Sequence, residues 1–241
     1  MARTAISGRV SVFNRSAVAS RSAIPSQQNL ILNSEDFSAA SWNANNAISV
    51  TTNQIIAPDV TTTADLLTAT GGVQKHYCCR AIAVPGVYQF SPRRVSVSCY
   101  YAQGDVSWVF LGNERHTDFV FAWFNIAAGT LGAVTADNPT AVGVTSRIEV
   151  ARTAQFPSAP IGWFRCSMSY IMISPGGGAG MTSESIMLGP TTGNSVSDYD
   201  GTAGQNCYAW GASMAIGANW TGQYAKTTAA QIDTGSIRSL P

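Results

Sequence analysis

The chain has 241 residues, 45% of them apolar and only 11% charged, with a formal net charge of +1. The charged share is less than half of the ~25% usual in globular domains, and the apolar share is too high for a disordered chain. No run of about 18 apolar residues is present to span a membrane, and no apolar segment follows the basic N-terminus as it would in a secretory signal.

Residues 1–28 read as a separate unit. They carry Arg3, Arg9, Arg15 and Arg21 and no other charged side chain. The six-residue spacing is even, so an extended chain points all four guanidinium groups to one side, whereas a helix scatters them by about 240° per step. The remaining residues hold ten basic and thirteen acidic side chains, so a body near −3 carries a +4 arm. That asymmetry points to a partner met by the arm and not by the body. The arm is expected to be extended and ordered on that partner, for instance as a strand added to a sheet edge.

From residue 29 the sequence changes to short β-like runs between turn signals. Asn29–Leu32 is apolar-rich, and Ala47–Thr52 and Asn53–Ala57 are two runs rich in β-branched residues. Thr61–Leu67 is the one stretch that reads as a short helical turn. Val95, Val97, Cys99 and Tyr101 alternate with Ser96, Ser98 and Tyr100. Phe119–Phe124 is apolar throughout, as in a strand covered on both sides or one between subunits. Phe164, Cys166, Met168, Tyr170 and Met172 alternate with Trp163, Arg165, Ser167, Ser169 and Ile171. Arg165 is expected opposite the core, free to pair with a carboxylate such as Asp65. In Cys207–Ala215, Tyr208, Trp210, Ala212 and Met214 are expected on one face, with small residues such as Gly211 on the other. Turns are expected at Gly71-Gly72, Pro85-Gly86, Asp137–Pro139, the glycines after Pro175, and Asp200-Gly201. Many strands at roughly 8–12-residue spacing predict an all-β fold: a jelly-roll-like antiparallel β-sandwich over residues 29–241.

Few residues suggest chemistry. Cys78, Cys79, Cys99, Cys166 and Cys207 show no metal-binding spacing and sit mostly among strand residues, so they are expected as reduced core thiols. His76 beside Tyr77 and the two cysteines reads as a strand-end residue, and Glu114-Arg115-His116 near Asp118 as a polar loop. Asn194, Asp198 and Asp200 lack the spacing of a known calcium loop. Gly176–Gly178 lacks the Lys and Ser/Thr of a phosphate loop. No catalytic residue, metal or cofactor is expected. Tyr100, Tyr101, Trp108 and Trp220 are the candidates for stacking on a sugar face if exposed; otherwise they fill the core or a subunit interface.

Several blocks, in order, carry a resemblance. Asn29–Phe37 followed by Trp42, Ala57-Pro58-Asp59 with Thr61–Asp65, Val95–Ala102, Gly162–Ser167, Asp200–Thr202 with Tyr208–Ala212, and Tyr224 with Thr227 and Thr228 resemble the jelly-roll, carbohydrate-binding-like domain of bacteriophage tail-fibre and other virion proteins. The likeness covers roughly residues 29–228; Ser213, Met214 and the Cys78-Cys79 pair depart from it. It implies a non-enzymatic structural protein of a tailed-phage virion, assembled in the bacterial cytoplasm. On that reading the body is a homotrimeric tail-fibre or adaptor-bound appendage with scope for host-surface glycan recognition. The arm docks onto a tail adaptor, portal or capsid protein and not onto nucleic acid, since four charges give modest affinity for phosphates and Phe13 is the one aromatic residue among its arginines, too few for base stacking. The alternatives are a capsid decoration (cement or head-fibre) protein and, from another class, a free carbohydrate-binding module or glycan hydrolase.

Overall fold

The computed structural model describes residues 28–42, 46–83, 92–115, 118–137, 141–173, 183–195, 199–201, 203–217, 223–229 and 232–233. The expected turns at Pro85-Gly86, Asp137–Pro139 and after Pro175 fall wholly or largely outside these residues. So do His116, Asp198, and the side chains of Glu114, Arg115, Asp118 and Asp200.

The described strands are β1 (Gln28–Asn29), β2 (Ile48–Ile55), β3 (Ala64–Ala69), β4 (Gly72–Gln74), β5 (Cys78–Ala83), β6 (Arg93–Gln103), β7 (Trp108–Arg115) and β8 (Asp118–Asn125). They continue with β9 (Thr130–Asp137), β10 (Ala141–Val150), β11 (Trp163–Met172), β12 (Ser183–Thr191), β13 (Tyr199–Gly201), β14 (Asn206–Ile216) and β15 (Ile232–Asp233). A six-stranded sheet runs β10–β11–β6–β14–β3–β2 and a five-stranded sheet β5–β12–β7–β8–β9. Neighbours are antiparallel throughout. Setting aside β2, β9 and β10 leaves two four-stranded sheets, β3–β14–β6–β11 and β5–β12–β7–β8. The chain alternates between them except at the β7–β8 hairpin, which is the double Greek key of a jelly roll. The expected antiparallel β-sandwich is the fold.

Period-two alternation explains the layers. Val95, Val97, Cys99 and Tyr101 of β6, with Cys166, Met168, Tyr170 and Met172 of β11, face Val109, Leu111, Val120, Ala122, Phe124, Ile186 and Leu188 across the main core. The outward residues are covered too. Tyr100, Ala102, Trp163 and Trp210 pack under Ala151, Ala159 and Tyr224 on the six-stranded sheet. Phe110, Phe121, Trp123, Met187 and Cys79 form a third cluster on the five-stranded sheet. Phe119–Phe124 is therefore a strand covered on both sides. Trp42, Trp163 and Trp210 are all buried, and each indole N–H has an acceptor: Asn33 O, Ile56 O and Thr63 Oγ1.

Four expectations need correction. Thr61–Leu67 is not helical. Asp59 Oδ1 accepts from Thr61 N at 3.0 Å, closing a turn that delivers the chain into β3, and a run of three threonines favours extended backbone. Cys207–Ala215 does not keep one face. β14 slips register between Trp210 and Ser213, with Gly211 at φ +64°, and this bulge moves Ala212 and Met214 into the main core while Trp210 stays outside it. A Cβ on Gly211 would lie 3.2 Å from the Tyr100 ring and 3.3 Å from that of Tyr224. Asp200-Gly201 is no turn, because its backbone belongs to β13 and pairs with β4. Finally, Arg165 is buried, donates to Ser98 Oγ and lies over the Tyr100 ring at 5.9 Å. Asp65 instead accepts from Phe37 N (2.8 Å) and Asn53 N (3.0 Å).

Two polar joints hold the sandwich. Arg93 of β6 and Glu184 of β12 form an ion pair with both side chains fully buried; Asn113 donates to Glu184 and to the Tyr170 hydroxyl, each at 2.6 Å. Asn29 is the other. Its amide donates to Ala212 O (3.0 Å) and Ala225 O (2.9 Å), and its oxygen accepts from Ile31 N and Met214 N (both 3.1 Å). It fastens the first strand to the β14 bulge and to the C-terminal segment.

Candidate binding surfaces

Arg3, Arg9, Arg15 and Arg21 lie outside the described residues, as does Trp220. The root of the arm is described: Gln28 pairs with Asp233 and Asn29 with Ile232. The arm therefore leaves the body beside the C-terminal segment, at a point locked by Asn29. The other three aromatic candidates divide. Tyr101 is fully buried and donates to Phe110 O at 3.0 Å. Tyr100 is 2% exposed, edge-on to Phe156 and Trp210. Neither ring has a face open to a sugar, so both take the core-filling alternative and not the glycan-contacting one; both faces of β6 are covered although its alternation with Ser96 and Ser98 reads as a half-covered strand. Burial pushes the Tyr100 hydroxyl up to about 12. Trp108 is half-buried against the outer cluster of the five-stranded sheet.

Among the described residues, His76, the five cysteines and Asn194 are each engaged within the fold. His76 is buried, with its ring nitrogens 2.7 Å from Ala47 O and 3.1 Å from Gly72 O, so it clamps the Gly71–Tyr77 turn. All five cysteines are free thiols in buried positions. Burial raises the thiols of Cys78, Cys99, Cys166 and Cys207, which disfavours the reactive thiolate. Asn194 Oδ1 accepts from Ala133 N at 2.6 Å, tying its loop to β9. Among the described residues no group of three or more His, Cys, Asp or Glu is placed to hold a metal ion, and no helix is long and apolar enough to cross a membrane.

Two surface features were not anticipated from the sequence. The first is a polar cleft of about 300 Å³ between the Asn33–Ser38 segment, β2, β3 and the C-terminal segment, lined by Asn33, Asp36, Asn53, Thr63, Asp65 and Lys226, among others. Glu35 is paired there with Lys226 Nζ at 2.5 Å and accepts from the Tyr224 hydroxyl at 3.0 Å. Desolvation pushes the Asp65 carboxyl up to about 6, against the pull of its two backbone N–H donors, with Asp36 and Glu35 adding to the rise. The second is an open depression of about 570 Å³ on the outer face of the six-stranded sheet, lined by Ile55, Ile56, Ala102, Gln103, Pro160, Ile161, Gly162 and Trp163. Its rim is aliphatic and exposed: Ile56 is 51% and Ile161 92% accessible. The one hint in the sequence was an isoleucine between Pro160 and Gly162, in turn context where an apolar residue has no core to enter.

No protein-family model matches the chain, and no curated protein matches it.

Proposed function

We propose that this chain is a non-enzymatic structural protein of a tailed-bacteriophage virion: a self-associating jelly-roll body, trimeric in an appendage, docked to the particle by its basic arm. The observation that carries the reading is how the ordered sequence blocks come together. The opening block meets the closing strand and the terminal one, through Leu30 N to Met214 O, Asn33 N to Thr228 O, and Ser34 to the Tyr224 hydroxyl. Three of the segments that carry the resemblance are thus in direct contact in the fold. Further support comes from the surface. With 11% charged residues, the chain leaves Ile56 and Ile161 exposed around one apolar depression, in keeping with contact to another protein surface. The arm begins where β1 pairs with β15, so a docked arm would hold the body at a fixed root. Three such arms on one trimer would bind with avidity, each raising the effective concentration of the others.

The test is on particles. Quantitative mass spectrometry of purified virions gives copies per particle; a small multiple of three at the tail supports an appendage, and hundreds of copies on the head would move the protein to capsid decoration. Deleting residues 1–27 should leave a folded body that no longer joins particles. Unchanged incorporation would refute arm docking, and absence of the full chain from particles would refute the virion role. Hydrolysis of host polysaccharide by the isolated chain would establish the enzymatic alternative.

A further inference from the structure

We infer that residues 223–229 are a strap that latches the root of the arm, so that the arm is held for docking only while the strap is closed. The inference rests on the proposal that the arm docks, and it assigns the device that fixes the arm's direction.

No residue of 223–229 lies in a strand, so neither main sheet holds the segment through a ladder. It is tied to the root instead. Ala225 O accepts from Asn29 Nδ2 at 2.9 Å. Thr228 O accepts from Asn33 N at 2.9 Å, and Thr227 O from Ser34 N at 3.3 Å. Thr227 N donates to Ser34 Oγ at 3.0 Å, and Thr227 Oγ1 donates to Ile31 O. The Tyr224 hydroxyl lies 2.6 Å from Ser34 Oγ and donates to Glu35 Oε1 at 3.0 Å. The strap's one large apolar side chain is that of Tyr224, whose ring packs on Trp210 with centroids 4.7 Å apart. Gln155 fastens the Tyr224 backbone through bonds of 2.6 and 2.8 Å.

Root and strap make one unit because each satisfies the other's buried polar groups. Asn29, Ser34 and Thr227 are at most 2% exposed, so opening either side leaves groups of the other without partners. Asn29 extends the unit into the body, giving one amide hydrogen to Ala225 O and the other to Ala212 O in the β14 bulge. Many polar bonds with a single large apolar anchor mark a segment that opens at lower cost than the sandwich core. The latch also forms late. Asn29 and Ala225 are 196 residues apart, and Ser34 and Tyr224 are 190 apart, so the sandwich must bring them together before their contacts stabilise anything. A body whose strap is open presents an arm with no fixed direction. Three arms that lose their direction cannot engage together, and the avidity of docking goes with them.

The experiment is amide hydrogen exchange of the full chain, read by NMR, with Thr227→Val, Tyr224→Phe and Thr228→Ala. Thr228 is the control on the strap itself, since its side chain is exposed and only its carbonyl joins the latch. The amides of Asn33 and Ser34 bond the strap directly and report it under any account. The deciding amides are those of Leu30, which donates to Met214 O at 2.9 Å, and Ile31, which donates to Asn29 Oδ1 at 3.1 Å. Thr227→Val and Tyr224→Phe should speed both by at least about fivefold, with Thr228→Ala unchanged and Val97 and Cys99 of the central strand β6 unchanged in all three. A rise confined to Asn33 and Ser34, or an equal rise in β6, overturns the latch. Thr227→Asp then tests docking, because a carboxylate set against Ile31 O in a buried site holds the strap open. With β6 still protected, it should join particles at less than about a tenth of the wild-type level. An open-strap protein that joins particles as well as the wild type overturns the inference and leaves arm docking standing. A wild-type chain absent from particles overturns both.

Discussion

Asn29 carries more of the architecture than its size suggests, and Asn29→Ala measures how much. The substitution removes four hydrogen bonds to main-chain atoms: the carbonyls of Ala212 and Ala225 and the amides of Ile31 and Met214. Each bond contributes about 1 kcal/mol net, and a buried group left without a partner costs about 1–3 kcal/mol. Ala225 is half-buried and its carbonyl can turn to water, whereas Ala212, Ile31 and Met214 are buried. A loss of about 3 kcal/mol follows. In urea, with a slope of about 2–3 kcal/mol/M, the unfolding midpoint should fall by about 1 M or more. Asn29→Asp should be worse than Ala. It keeps the two acceptor contacts but sets carboxylate oxygens against the carbonyls of Ala212 and Ala225 in a site from which water is excluded. Equilibrium urea unfolding followed by tryptophan fluorescence decides it. A loss below about 1 kcal/mol for Ala, or Asp more stable than Ala, would refute the account of Asn29 as the joint between first strand, bulge and C-terminal segment.

Two further predictions concern buried charge. Breaking the Arg93–Glu184 pair by Arg93→Met should cost about 3–5 kcal/mol, because Glu184 is left charged in the core, and Arg93→Met with Glu184→Leu should recover much of that; single effects that simply add in a urea double-mutant cycle would show the pair to be uncoupled. For Asp65 the folded carboxyl titrates near 6 against about 3.9 unfolded, so the folded state holds its proton more tightly. The resulting stabilisation is complete below about pH 4 and is lost as pH rises through 6, on the order of 2–3 kcal/mol in all. Comparing unfolding midpoints at pH 4 and pH 7.5 for the wild type and Asp65→Asn isolates this group, and equal pH dependence in both would contradict it.

The sequence by itself determined the layered β-architecture. Alternation in β6 and β11, unbroken apolar character in β8, three tryptophans beside strand-like runs and frequent turn residues each follow from local physics: a pleated strand shows its side chains to opposite faces, and a large apolar ring must leave water. The thiols were legible for the same reason, since small apolar side chains amid strand residues belong inside. The tertiary structure decided what depends on residues far apart. Gly211 breaks the alternation of β14 because Tyr100 and Tyr224 close over it, so Ala212 and Met214 change face with no local signal. Asp65 is held by the backbone of Phe37 and Asn53, twenty-eight and twelve residues away, and Arg165 turns to Ser98 and Tyr100. Tyr101 enters the main core as alternation predicts, whereas Tyr100 is inside only because the 151–162 loop and the C-terminal segment fold over the outer face of the sheet. Both surface features are composed of segments brought together by the fold, Asn33 with Lys226 in one and Ile56 with Ile161 in the other. Pattern along a chain reports which way a side chain points; it takes packing between distant segments to settle what lies on the other side.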